Sequence, residues 1–382
     1  MTPRMPGPPK PLMAYLEEIP DPRVRRTRAH RLQDILVIGL LSILTGGEGF
    51  NDMELFGRAR YAWLKTFLEL PRGIPAHDTF NRVFSALDPR RFLDCFVCWV
   101  EGLCPTVPRA AIAIDGKALR RAAQDGGRIP QIVSAWASDV GLVLGQVKVD
   151  GKSNEITAIP ELLQALYLKG CVVTLDAMGC QKEIAAQIVD RGADYVLALK
   201  GNHAIAEEEF RLYFADVTSK ATGPLQGGAT PTLDTRKTVD KGHGRIEIRR
   251  YWQTTDVGWF EGKAQWKNLR SAGMVEATRI VKGKETTERR YFLSSLPLEI
   301  HTLSRAIRQH WGIENSLHWT LDVTFREDQS RARTRNAAHN LAILRRLALN
   351  IVRNDHSQKI SVRQRRILAA LDPNYLKTTL GI

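Results

Sequence analysis

Acidic side chains are in short supply in this 382-residue chain, which carries 41 Asp and Glu against 55 Lys and Arg, a formal net charge of +14. A surplus of that size points to a polyanionic partner, nucleic acid first, with an anionic membrane surface as the competing reading. Long apolar runs are missing as well. The longest, Ile35 to Leu44, falls well below the roughly 20 residues that a membrane-spanning helix needs, and no basic helix shows the hydrophobic face that would seat it on lipid. Cysteine is sparse and odd in number: Cys95, Cys98, Cys104, Cys171 and Cys180. Cys95-x-x-Cys98 has the spacing of half a zinc knuckle, but it lies in the apolar helical stretch FLDCFVCWV and no second Cys or His pair answers it. The five read as reduced core thiols, which excludes a disulfide scaffold and fits a cytoplasmic, nucleoid-associated protein. The opening MTPRMPGPPKP lacks the apolar centre of a signal peptide.

What is present divides by texture. A basic cluster, Arg23 to Arg31, leads into LQDILVIGLLSIL, apolar nearly all round and therefore a buried helix. A second helix is predicted from about Asn51 to Leu70 and a third from His77, with Asp78 or Thr79 as its cap. Helix, Gly-containing turn and helix are compatible with a helix-turn-helix presenting Thr79, Asn81 and Arg82 to a major groove, and equally with plain helical packing. One more helix ends near Leu103, so residues 1–107 are expected to form an all-helical N-terminal domain. From Arg109 strands and helices alternate: strands at 111–115, 131–138, 142–149, 171–176 and 195–200, helices at 155–166 and 181–191. Three strands in a meander and then strand and helix in turn is the order of a ribonuclease H-like core, in which the first and fourth strands are neighbours. Residues 218–297 read as a β-rich insertion. The catalytic domain is expected over 108–345, followed by a basic helical tail at 346–382; across this C-terminal segment Arg345, Arg346, Arg353, Lys359, Arg363, Arg365 and Arg366 could track a DNA backbone.

The chemistry rests on acids in unusual places. Ala111 to Ile114 is a buried strand that ends in Asp115, and Cys171 to Leu175 is another that ends in Asp176. A carboxylate finishing a buried strand is costly unless it is paired, protonated or metal-bound, although an Asp that merely starts a turn is the plainer alternative. A third acid is sought on the helical stretch RAIRQHWGIENSLHWTL. There Glu314, His318 and Asp322 recur at a spacing of one helical turn beside Trp311. Glu314 is the preferred ligand and Asp322 the rival; Asp322 and Trp311 are otherwise supporting residues. Three carboxylates can hold two Mg²⁺ or Mn²⁺ ions roughly 4 Å apart for in-line displacement at a phosphodiester, and magnesium favours oxygen donors of this kind. Lys117, Arg120 and Arg121 follow the first acid, and Lys200 ends a strand on the same edge. All four are candidates for contact with DNA phosphates.

The segments IAIDGKALR, VVTLDAMGCQKEIAAQIVDRGADYVLALKGNH, GHGRIEIRRYW and HWGIENSLHWTLDVTFREDQSR resemble the insertion-sequence DDE transposases of the H-repeat-associated (ISAs-type) branch. With the helical front end the resemblance spans nearly the whole chain. It implies a ribonuclease H-like core with a β insertion before the last acid, Asp115, Asp176 and Glu314 as the metal-binding triad, and cleavage and strand transfer at transposon ends without a covalent enzyme intermediate. It also implies double-stranded DNA as partner, both transposon ends and target, and a homodimer to bridge two ends. One departure stands out: where better-studied relatives carry Tyr, Arg and Lys around the catalytic Glu, this chain has Ile307, His310 and Leu321. Arg308, His318 and Arg331 are the candidates to supply the missing contacts. Two rivals stay open, a catalytically silent DNA-binding regulator derived from a transposase, and a metal-dependent nuclease that ignores terminal repeats.

Overall fold

The computed structural model describes residues 10–103, 109–123, 129–149, 154–220, 232–242 and 244–381. Its elements fall in two compact units, each assembled from separate stretches of chain. The first gathers Met1–Pro105, Gly116–Leu166 and Ile313–Ile382; the second gathers Thr106–Asp115 and Tyr167–Gly312. Two elements cross the division: strand β1, Ala111–Ala118, between Asp115 and Gly116, and the helical run that begins at Ile300, between Gly312 and Ile313.

The second unit is built on a mixed sheet. Parallel pairs join β1 to β4 (Val172–Leu175) and β4 to β5 (Asp194–Leu199). The expected neighbouring of the first and fourth strands is therefore present. What the sequence did not suggest is where the insertion goes. Its strands β6 (Leu233–Gly242), β7 (Arg245–Thr254), β8 (Ser271–Val281) and β9 (Lys284–Ser294) form an antiparallel ladder, and β9 pairs with β5, so the insertion extends the sheet instead of standing apart from it. The helix Ile300–Gly312 covers one face, where Ile300, Leu303, Ala306 and Ile307 pack with Ala111, Val172, Val196, Tyr251, Val275 and Phe292. Period-four apolar residues on the helix meet β-branched and aromatic residues on alternate strand positions, which is the pairing of patterns that a helix-on-sheet layer requires.

The first unit is mostly helical. Leu32–Leu44 is buried on nearly every side, as its composition requires, and so is Ala337–Asn354. The predicted helix from Asn51 to Leu70 is broken into Phe50–Ala59 and Tyr61–Leu64. The helix His77–Ala86 is capped neither by Asp78 nor by Thr79: Glu54, from the helix Phe50–Ala59, accepts the His77 backbone N–H at 2.7 Å. A hairpin of β2 (Gln131–Ala137) and β3 (Leu142–Lys148) completes the unit, with Gly141 in the left-handed region at its turn. Buried Asn350 accepts from the Val143 N–H at 2.9 Å and donates to its carbonyl at 2.8 Å, so one side-chain amide does for β3 what a neighbouring strand would.

Five of the seven C-terminal basic residues are structural, while Lys359 and Arg363 are exposed. Arg345, Arg346 and Arg366 are buried, Arg353 lies over the Trp136 ring at 4.9 Å, and Arg365 donates to the Val352 and Gln358 carbonyls. A basic count along a helix cannot distinguish such residues from a phosphate-tracking face, because burial depends on what packs from elsewhere.

Candidate active site

Parallel register carries the two strand acids to the same end of adjacent strands. Ala111 pairs with Val172 and Ile114 with Leu175, so Asp115 and Asp176 are the next residues along each strand. The four residues ahead of Asp115 are buried, while both acids are half-buried. Asp176 also starts a turn: its Oδ1 accepts the Gly179 N–H at 3.1 Å, the plainer role allowed for it above. A carboxylate has about four lone-pair sites, so one such bond leaves it able to take a cation. The turn after Asp176 is held from the loop after β5. Asn202 donates to the Ala177 carbonyl at 2.6 Å and the His203 ring Nε2 meets the Cys180 carbonyl at 2.6 Å. Lys200, which precedes that loop, is exposed.

His310 is a site residue the sequence reading noted only as a departure. Its Nδ1 lies 2.9 Å from the Thr174 hydroxyl on β4. Burial pushes it down to about 4 against the opposing pull of Asp176, with Arg290 adding to the fall, so it is a neutral imidazole at pH 7. Where related enzymes carry an arginine, this chain therefore places an uncharged group. Next to it Trp311 is 43% exposed, with the Arg290 guanidinium 4.9 Å over its ring.

In the first unit, Lys117 lies two residues beyond Asp115 and is buried. Its ammonium is 2.7 Å from Asp322, 2.9 Å from Asp328 and 3.6 Å from Glu327. Glu327 in turn binds Arg346 at 2.8 Å with both side chains fully buried, and Arg346 reaches the Ser134 hydroxyl at 3.2 Å. Burial opposes charge on Lys117, but the three acids outweigh it and hold the ammonium above its ordinary range. Asp322 moves the unfavourable way. Burial raises it, and crowding by Asp328 and Glu327 adds to that, because three carboxylates share one ammonium. Lys117 is thus committed to an internal ion cluster, not open to a phosphate, and Asp322 belongs to that cluster. Gly116, between Asp115 and Lys117, lies against the Glu155 carboxylate, which a Cβ there would push aside. Glu155 was not singled out from sequence, where it reads simply as a first-turn acid of the helix Glu155–Ala165.

Glu314 sits in a π-helical turn, Ile313–His318, inserted between the helices Ile300–Gly312 and Trp319–Val323. Ile313 and Leu317 are buried and Glu314 is exposed. Along this stretch Glu314 is exposed where His318 and Asp322 are half-buried, so the three differ in their access to solvent. His318 points inward, pushed down to about 3 by burial and by Arg346 and Lys117, and is neutral. Of the remaining basic candidates, Arg120 is exposed and 3.3 Å from Asp328, and Arg121, Arg308 and Arg331 are exposed. Among the described residues no three Asp, Glu, His or Cys side chains stand gathered as a finished metal cage. The donor chemistry at the strand ends, two carboxylates on rigid adjacent strands, fits a hard oxygen-seeking cation such as Mg²⁺.

Paired acids at parallel strand ends in a mixed α/β protein with a basic surplus are what a nucleic-acid-processing protein would carry. The family model described as Transposase DDE domain matches residues 108–351, and one described as DDE_Tnp_1-associated matches residues 13–100. The chain belongs to the DDE transposase family. It is 38% identical over 380 residues to the H repeat-associated putative transposase YhhI of Escherichia coli K12, covering 97% of this chain and 98% of that protein. It has the same identity and coverage with the putative protein YbfL of the same strain. The putative transposase YncI of Escherichia coli O157:H7 is also 38% identical, over 97% of this chain and 94% of its own length.

Proposed function

We propose that this chain cuts DNA at the ends of an insertion sequence and joins the freed 3′ ends to target DNA, using a ribonuclease H-like core. The observation that carries the reading is the β1–β4 register, which delivers Asp115 and Asp176 side by side. Asp115, Asp176 and Glu314 are the proposed metal ligands, with Glu314 joining the strand acids to complete the set. Two Mg²⁺ or Mn²⁺ ions bound there would activate the attacking oxygen and stabilise the leaving oxygen of the phosphodiester. The chain's own contribution is placement. Asn202 and His203 fix the turn that carries Asp176, and His310 ties Thr174 to the covering helix. Arg120, Arg121, Lys200 and Arg331, all exposed, offer positive charge to phosphate oxygens as charge develops on them. Two ends have to be held together for transfer, which favours a homodimer on the DNA.

The test is incubation of the protein with a duplex carrying the element's own ends, in Mg²⁺ or Mn²⁺. Cleavage at the ends followed by a joined product is expected, with both steps lost in Asp176→Asn and in Glu314→Gln. Cutting that ignores the terminal repeats and yields no joined product would replace this reading with a nuclease. Tight end binding without any cutting would replace it with a regulator.

A further inference from the structure

A cleft of about 510 Å³ opens in the second unit between β6 and the helix Ile300–Gly312. Three features of its construction bear on what it takes. First, each wall is one face of one element. Arg236, Thr238 and Asp240 alternate along β6, Tyr251 stands opposite Arg236 on β7, and His301, Ser304, Arg305 and Arg308 recur at helical spacing. Second, the lining is rich in donors and poor in acid. Arg236, Arg305 and Arg308 face a single carboxylate, Asp240, which Arg249 engages. Third, one donor is pre-set. Arg236 donates to the buried Ser304 hydroxyl at 2.9 Å, which holds its guanidinium on the cleft wall. Burial pushes the Tyr251 phenol up, opposed by Arg249, Arg308 and Arg236, a sign of how much positive charge converges here.

Guanidinium forks and hydroxyls are the groups that match phosphate oxygens. Tyr251 is 1% exposed, so it presents no ring face on which a base could stack. We propose that this cleft binds the phosphodiester backbone of a DNA strand, with Arg236 and Arg308 as its principal contacts. The inference rests on the proposed function for the identity of the polyanion, and it adds a contact region on the β insertion and its facing helix, apart from the strand-end acids.

The test uses a fluorescein-labelled duplex of random sequence, because a backbone contact carries no sequence information. Binding is followed by anisotropy across a salt titration for the wild type, Arg308→Gln and Arg236→Gln/Arg308→Gln, with Lys169→Gln, exposed in the second unit away from the cleft lining, as comparator. Gln at 236 can keep a hydrogen bond to Ser304, and urea midpoints check that the variants stay folded. Each cleft substitution is expected to weaken binding roughly tenfold, the size of a charge-assisted hydrogen bond. Each should also make the log–log salt slope shallower by about 1. Lys169→Gln should leave affinity and slope where they are. Affinity and slope unchanged in the double variant, with the wild type still binding and cutting, would overturn the cleft and leave the proposed function standing. A lowered slope in a protein that never cuts DNA would keep the cleft and remove the transposase reading. A wild type that does not bind the duplex overturns the cleft as well.

Discussion

Asp115 and Lys117 are two residues apart on the same strand, yet they sit in opposite kinds of surroundings. Asp115, like Asp176, is half-buried at a strand end, where a carboxylate remains able to take a ligand. Lys117 is buried among Asp322, Asp328 and Glu327, and Glu327 is closed off in turn by Arg346. The difference teaches how to tell a charge kept for chemistry from a charge kept for architecture. Desolvating an ion is expensive, so a fully enclosed charge persists only with partners that use it up. A partly solvated acid keeps lone pairs that solvent or a cation can reach.

If that contrast is right, the largest effect on stability comes from opening the enclosed cluster. Glu327→Ala leaves Arg346 and Lys117 buried without their shared acid and should cost about 3–5 kcal/mol in urea unfolding. Glu327→Ala/Arg346→Met should recover a good part of it. A double variant no more stable than the single would show that the pair is not the unit that matters.

Next in size, Asp176→Asn should lower end cleavage more than about 100-fold, beyond the range for a group that merely supports a metal ligand. Its unfolding midpoint should stay near wild type, since the Asn side-chain oxygen still accepts from Gly179. A comparable loss of stability would place Asp176 with the architectural charges.

The cluster should also set the pH limits of the fold. Burial alone would raise the Glu327 carboxyl, but Arg346, Lys117 and Arg345 outweigh it and hold it below 4.5. Its contribution is therefore complete above the unfolded value and lost as pH falls through the lower folded one. Lys117 is held above 10.5, so its contribution is complete below that value and lost as pH rises through the higher folded one. Urea midpoints across pH should drop at both ends, and Glu327→Gln should flatten the acid limb. An unchanged acid limb would assign acid sensitivity to other carboxylates.

The smallest effect sharpens the comparison within one side chain. Asp328 pairs with buried Lys117 and with Arg120, which is 76% exposed. Arg120→Ala should change stability by less than about 1 kcal/mol, because solvent screens the exposed pair. A larger cost would mean the cluster extends to the surface.

Much of the second unit was legible locally. β-branched runs between turn residues mark β4 and β5 to within a residue and the start of β1, which runs three residues further than expected, to Ala118; helical periodicity marks 155–165 and 182–190. These signals are short-range, and burial on both faces of a parallel strand writes itself directly into composition. The ion cluster was not legible. Lys117, Asp322, Glu327, Asp328 and Arg346 look like ordinary surface charges, and only the packing around them makes them internal. The π-helical turn at Glu314 escaped for a related reason: an inserted residue in a helix leaves no compositional mark.

By itself, then, the sequence determined the acids at two strand ends, the basic surplus and the alternation of strand and helix, because each follows from neighbours in the chain. Tertiary structure alone decided which charges are enclosed, that β9 joins the insertion to β5, and that the chain weaves through two units. Those outcomes depend on residues hundreds of positions apart competing for the same desolvated space, and no local pattern records who wins that competition.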